Sequence, residues 1–276
     1  MEHIYMIICR NYVPIIDMIA KTPAARIIFI LLLSAALFGC SSYIPPGKRA
    51  DFQQLQPIPG FPGSETAARP AAEQLPAAQP TNPFPTGIIM VRLQAPEYTS
   101  FYIDRNGGKY GTGKYCVILA KELGENEQYE RMAKLPEVAD VIGLNRMLLP
   151  QRIDDFRSIR EAAAQLSAGV VFVYTVDTTF RDANSSKTLT AISLGISPSK
   201  KITALTTISA LLMDTKTGYI YSAYETTEKE EVSSSSWNTR DNADKARQKT
   251  ETRAFAKLID DFIESWPRLL ERYPAK

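Results

Sequence analysis

Histidine is almost missing from this chain: His3 is the only one in 276 residues. Beyond the first few residues this excludes Ser-His-Asp and Cys-His catalysis and every His-ligated zinc site. Cysteine is nearly as scarce, with Cys9, Cys40 and Cys116. If Cys9 is removed with a leader and Cys40 is modified, Cys116 is left alone and no intramolecular disulfide can form. Its neighbours Val117, Ile118 and Leu119 predict a buried core thiol, not a reactive one. An excess of one charge is also lacking, with 32 Lys and Arg against 30 Asp and Glu. Taking away Arg10, Lys21 and Arg26 and the acids Glu2 and Asp17 with the leader leaves 29 against 28. Such a balance gives no reason to expect a nucleic-acid partner.

The stretch Ile27 to Cys40, IIFILLLSAALFGC, follows Lys21 and Arg26 and ends in Gly39-Cys40. A basic flank, a short apolar core and a small residue before the cut describe a secretory signal peptide. The uninterrupted apolar run from Ile27 to Phe38 is short for a transmembrane anchor, which needs about 20 apolar residues. A core helix fits poorly with the proline-rich chain that follows. Leu37-Phe38-Gly39-Cys40 resembles the lipobox of bacterial lipoproteins, with Phe38 standing where a smaller residue is usual. The resemblance implies cleavage after Gly39, a mature chain beginning at Cys40, and lipid (palmitate among it) on that cysteine. Glu2 and Asp17 are unusual in a basic leader. Met18 opens a signal of ordinary length with two cations, so Met18 is the expected start.

Ser41 to Thr86 holds ten prolines among Ala, Gln and Gly, which opposes helix and sheet and favours extended polyproline II. At about 3.1 Å per residue, some 45 residues reach roughly 140 Å when fully extended. A working tether and a plain spacer share this composition. Ser41 after the lipidated cysteine, in place of aspartate, resembles lipoproteins sorted to the outer membrane. The expected division is therefore 1–39 signal peptide, 40–86 lipidated N-terminus and disordered linker, and 87–276 periplasmic domain.

That domain opens with GIIMVRLQ (87–94), which reads as a buried strand. YTSFYID (98–104) is a second strand candidate, and Asn106-Gly107-Gly108 a turn. Gly108 to Tyr115 matches G-x-x-x-x-G-K, but Tyr115 replaces the required Ser or Thr and a strand follows where a helix should. A glycine-rich hairpin is the better reading, and no cofactor or metal site is expected. ENEQYERMAK (125–134) reads as a polar helix, and 137–149 as a strand with a turn at Gly143 or Asn145. Asp154 or Asp155 caps a helix whose Phe156, Ile159, Ala163 and Leu166 share a face. VVFVYTVDT (170–178) reads as a central strand, completing a βαβ pattern. Asp177, at its carboxyl end, occupies a position where α/β folds place ligands, or simply meets solvent. ITALTTISALLM (202–213), a turn at Asp214 to Gly218 and YIYSAYETTE (219–228) form a hairpin. EKEEVSSSS (228–236) reads as a solvated loop. From Asp241 to Arg272 runs a long amphipathic helix, with Pro267 expected to kink or split its last turns. The fold class expected is α/β: a single mixed-sheet domain with helices packed on it and a long C-terminal helix.

AAAQLSAG (162–169), followed by a strand, and Asp214-Thr215-Lys216-Thr217-Gly218-Tyr219-Ile220 in a later hairpin resemble two motifs of one superfamily. It is the group of periplasmic lipoprotein domains that includes the curli-secretion lipoproteins and the outer-membrane activators of penicillin-binding proteins. Ser167 stands where that superfamily commonly has glycine, and Gly169 where it has aspartate or asparagine. The resemblance covers about half of the chain. It implies a fold and a compartment and carries no active site, because those families act through protein contacts.

The leading expectation is a non-enzymatic lipoprotein, lipid-anchored in the outer membrane with its domain facing the periplasm. It would bind an as yet unidentified envelope protein such as a cell-wall synthase. The second is a subunit of an outer-membrane secretion or export assembly, in which the chain would form a homo-oligomer. The third is a carboxylate-dependent hydrolase using a pair such as Asp177 and Asp214. A glycosidase pair stands about 5–9.5 Å apart.

Overall fold

The computed structural model describes residues 49–50, 79–81, 83–100, 102–103, 107–184, 200–234 and 239–274, all in the compact unit Tyr43–Lys276. The signal peptide, Gly39, Cys40 and most of the proline-rich stretch lie outside these residues, as does the segment 185–199.

The architecture is α/β, a seven-stranded mixed sheet with helices on it. Its centre is β1 (Thr86–Gln94), buried along its whole length save Gly87. The run Ile88 to Val91 has no polar side to turn to water, so both faces must be covered. β2 (Lys109–Tyr110), β3 (Thr112–Gly113) and β4 (Cys116–Ile118) follow. β4 lies antiparallel to the second half of β1, with Arg92 opposite Ile118. Helix α1 (Glu125–Met132) then carries the chain to β5 (Val138–Gly143), which lies parallel to the first half of β1. β1 thus forks on one edge, with β4 and β5 sharing it. After β6 (Arg152–Ile153), helix α2 (Phe156–Gln165) crosses the other face of the sheet to β7 (Val170–Asn184), parallel to β1. β8 (Lys200–Asp214) and β9 (Ile220–Ser234) complete the order β2-β4-β1-β7-β8-β9 by antiparallel pairing. α3 (Thr239–Arg272) closes the chain.

Alternation along the strands separates two cores. Ile88, Met90, Phe172, Tyr174, Ile208 and Leu212 point toward α3, where Phe255, Leu258, Ile259, Phe262 and Trp266 meet them. Ile89, Val91, Val171, Val173 and Met213 point toward α2 and its Phe156, Ile159, Ala162 and Ala163. Asp155 accepts from Arg157 N at 3.0 Å and caps α2. Leu166, expected on the buried face, falls at the C-cap and is 37% exposed.

Several expectations change. Tyr98 to Asp104 is not a strand: Tyr98 N donates to Ala95 O in a turn, and Tyr102–Ile103 is helical. The run Glu228 to Ser234 is not loop but the continuation of β9, paired with Lys200 to Thr206 of β8. Pro267 does not split α3, which runs on to Arg272. The folded unit also takes in residues from the proline-rich stretch. Phe84 is buried against Tyr221 and Trp266, and Ala50 N donates to Thr175 Oγ1 at 2.8 Å. Gly169 shows why this approach needs glycine, since a Cβ there would stand 2.4 Å from Thr86 Oγ1 and 2.5 Å from Pro83 Cβ.

Candidate functional site

Three arrangements bear on function: a buried ion cluster, the Asp214 turn, and the outer half of the sheet with the seam along α3.

The cluster was not visible in the sequence as a set, although an arginine inside the apolar run of β1 is a signal. Arg92 Nη1 donates to Glu122 Oε1 at 3.0 Å and its Nη2 to the Tyr98 hydroxyl at 2.6 Å. Arg247 Nη1 donates to Glu251 Oε2 at 2.6 Å and its Nη2 to Glu122 Oε2 at 3.2 Å. Thr178 Oγ1 donates to Glu251 Oε1 at 2.7 Å. All four charged groups are buried, and two guanidiniums balance two carboxylates. Burial opposes the charge on Arg92; Tyr98, Glu251 and Glu122 overcome it and hold its pKa above the ordinary value. Burial pushes Glu251 above the usual carboxylate range, and Arg247 and Arg92 pull it back only in part. The cluster ties β1, the loop before α1, β7 and α3 together, and its reach is structural. Beside it, a cleft of about 190 Å³ opens where β1 forks, lined by Arg92, Lys121, Glu125 and Tyr129 among others.

Asp214 stands at the end of β8 and accepts five hydrogen bonds. Oδ1 takes Lys216 N at 2.9 Å and Thr217 N at 3.0 Å. Oδ2 takes Thr81 N at 3.0 Å, Thr81 Oγ1 at 2.6 Å and the Tyr221 hydroxyl at 2.7 Å. One carboxylate closes the β8–β9 turn and pins the chain that leads into β1. Burial works against its ionised form, yet the bonds from Thr81, Thr217 and Tyr221 win and keep its pKa below the ordinary range. A depressed carboxylate stabilises the fold above its unfolded pKa of about 3.9, and that stabilisation is lost as pH falls through the folded value. Asp214→Asn is expected to cost about 1–3 kcal/mol at pH 7. The gap in melting temperature to the parent should close below about pH 4; a gap independent of pH would contradict the assignment.

Asp177 is not at a strand end, because β7 runs on to Asn184. It pairs with Thr207, whereas Asp214 pairs with Val170. Seven residues of strand put the two carboxylates about 23 Å apart, and the odd number puts them on opposite faces. The hydrolase built on that pair is ruled out. Cys116 is fully buried, its thiol donating to Ala95 O at 3.2 Å and pushed up by burial to about 11. It should react with thiol reagents at the rate of unfolding; fast native labelling would place it elsewhere. The glycine run is no phosphate loop. Gly113, at φ 107°, lets Lys114 N reach Asp154 Oδ1 at 3.0 Å, and no helix follows it.

Beyond α2, no helix among the described residues lies on the second face of β7, β8 and β9, where Asp177 and Thr207 are half-buried and Thr227 is exposed. Asp177, Thr207 and Thr227 form one row across it, and Thr179, Leu205 and Lys229 the next. Thr207 and Thr227 hydroxyls bond at 2.9 Å, and Ser209 donates to Glu225 at 2.8 Å, both in exposed positions. The opposite face of the same strands lies under α3. Lys249 meets Glu230 at 2.6 Å near one end, and the Tyr219 and Tyr273 hydroxyls meet at 2.9 Å near the other. Between these contacts α3 advances 24 residues, about 36 Å, while β9 recedes 11 residues, also about 36 Å. Helix and strand therefore run antiparallel and in line.

No family model matches the chain, and no curated protein matches it. Several solved structures resemble it at a distance, two of which follow. One, from Caulobacter crescentus CB15 and described as a lipoprotein, shares 17% identity over 43% of this chain and 81% of its own, with a TM-score of 0.27. The other, a Helicobacter pylori homologue of a neuraminyllactose-binding hemagglutinin, shares 11% identity over 75% of this chain and 94% of its own, with a TM-score of 0.32. Likeness at that level carries no argument for this chain. Among the described residues no group of His, Cys, Asp and Glu is placed to hold a metal ion, and no helix is long and apolar enough to cross a membrane.

Proposed function

We propose that this is a lipoprotein anchored through Cys40 in the outer membrane, whose domain works in the periplasm by binding another envelope protein, such as a cell-wall synthase, without enzymatic turnover. The observation that carries the reading is the open polar face around Asp177, Thr207 and Thr227. Its strands are backed by α3 on their other face, and it leaves Asp177 and Thr207 half-buried and Thr227 exposed. The lipobox at Leu37 to Cys40 and the proline-rich stretch after it support an anchored domain with reach.

Two measurements test this. Metabolic labelling with palmitate should mark the parent chain and be lost in Cys40→Ser; label retained in that variant would remove the anchor. The full chain incubated with cell-wall polymer and with envelope lipids should release no product; steady turnover of either would overturn the non-enzymatic reading. The assembly-subunit reading gains little from the long hairpin. One face of β8 and β9 is held by α3, with Arg253 meeting Glu230 at 2.8 Å. That is the use expected of a globular sheet.

A further inference from the structure

The seam between β9 and α3 has two unlike halves. In the first, strand carboxylates meet helix cations. Glu230 pairs with Lys249 at 2.6 Å and Arg253 at 2.8 Å, and Glu228 with Arg253 at 3.4 Å and Lys257 at 3.7 Å. Acids two residues apart on a strand, about 6.7 Å along it, are matched by cations four apart on a helix, about 6 Å apart. The second half repeats the cations without the acids. Arg268 and Arg272 are again four apart, but β9 offers them Tyr221, Ser222, Ala223 and Tyr224. Neither arginine has an ion-pair partner among the described residues. The helix dipole favours a cation such as Arg272 in the last turn and gives no reason for Arg268 a turn earlier.

In this second half a groove of about 300 Å³ runs between β9 and α3. Four consecutive strand residues line it. The pairing of β9 on β8 slips by one residue here, with Ile220 opposite Met213 and Ser222 opposite Leu212, so Tyr221 is an extra residue that interrupts the alternation of faces and the groove lies at this irregularity. β9 is the last strand of the sheet order among the described residues, so its outer edge carries backbone groups without a ladder partner. The hydroxyls of Tyr224 on β9 and Ser265 on α3, bonded at 2.7 Å, join the two sides of the groove.

We propose that this groove binds an extended acidic segment of a polypeptide, which adds to the edge of β9 and presents two carboxylates, two residues apart, to Arg268 and Arg272. Within the sheet, Glu228 and Glu230 already show strand acids of this spacing meeting cations of α3. Edge addition supplies affinity through main-chain bonds, and the spaced carboxylates supply the choice of sequence. The proposal names the partner chemistry and rests on the protein-binding reading above.

The test is fluorescence anisotropy of short labelled peptides on the full chain in detergent. Three peptides share a β-prone host and carry Glu-x-Glu, Gln-x-Gln or Lys-x-Lys at the centre. The Glu-x-Glu peptide should bind about tenfold or more tighter than the Gln-x-Gln peptide. Arg268→Glu with Arg272→Glu, both on the helix surface, should abolish that binding and transfer the preference to Lys-x-Lys. If the charge-reversed chain does not fold, Arg268→Gln with Arg272→Gln should remove the preference alone. Equal binding of all three peptides overturns the proposal. So does displacement by inorganic phosphate at matched ionic strength, which would make this a simple anion site. Failure here, with protein still captured from a photo-reactive residue at Thr207, removes the groove alone. Failure of both removes the protein-binding reading.

Discussion

Arg92→Met is expected to destabilise the domain by about 3–5 kcal/mol, because it leaves Glu122 and Glu251 buried with one guanidinium between them. Methionine fills much of the same volume, so the loss is electrostatic and not a cavity. Against a total stability of about 5–15 kcal/mol, this is a large share. Arg92→Met combined with Glu122→Gln restores neutrality around Arg247 and Glu251, and should be milder than the sum of the single changes by about 1–3 kcal/mol. The pH dependence has a definite sign. Arg92 holds the Glu251 pKa down, so its loss raises that pKa further above the unfolded value of about 4.3. An acid whose folded pKa is raised binds its proton more tightly in the native state, and stability then falls as pH rises through that range. The deficit of the variant should therefore shrink between pH 7 and pH 5. Urea unfolding across that range checks it; additive single effects with a flat pH profile would contradict a coupled buried cluster.

Trp266→Ala should cost a similar amount, about 3–5 kcal/mol. The indole is fully buried. It packs edge-on to Phe84 with ring centres 5.4 Å apart and lies 5.2 Å from Phe262. Its Nε1 donates to Pro136 O at 2.8 Å. One side chain thus joins α3 to the end of the proline-rich stretch and to the turn before β5. Trp266→Phe keeps most of the packing and leaves the Pro136 carbonyl without its donor, for a smaller loss of about 1–3 kcal/mol. A cost below about 1 kcal/mol for the alanine variant would mean that the helix is not seated as described.

What could be read from residues in order was local. The stripe Phe156, Ile159, Ala163 locates α2, and Gly218, at φ 74°, marks the β8–β9 turn, because caps, periodicity and turn chemistry act within a few residues. What could not be read depends on meetings between distant elements. Glu228 and Glu230 look like part of a solvated run until Lys249 and Arg253 of α3 stand beside them. Tyr98 looks like a strand residue until its hydroxyl is seen to serve Arg92, and the cluster of Arg92, Glu122, Arg247 and Glu251 joins positions up to 159 residues apart. Asp177 and Asp214 were attractive as a pair because both were expected at strand ends. The register of β7 on β8 separates them, and no pattern within either strand encodes that register. The open face has the same origin, since Thr207 and Thr227 are neighbours only through pairing.

The most direct test of the anchored, protein-binding reading is photo-crosslinking in living cells, using the full chain with a photo-reactive residue at Thr207 of the open face and a control at Met147, which is 85% exposed on the far side of β5 in sequence. The reading predicts reproducible capture of one envelope protein, a cell-wall synthase above all, from Thr207 and not from Met147, and loss of that capture when Cys40→Ser removes the anchor. Capture of nothing from Thr207, or of the same background from both positions, would contradict it; capture chiefly of further copies of this chain together with export components would transfer the reading to an assembly subunit.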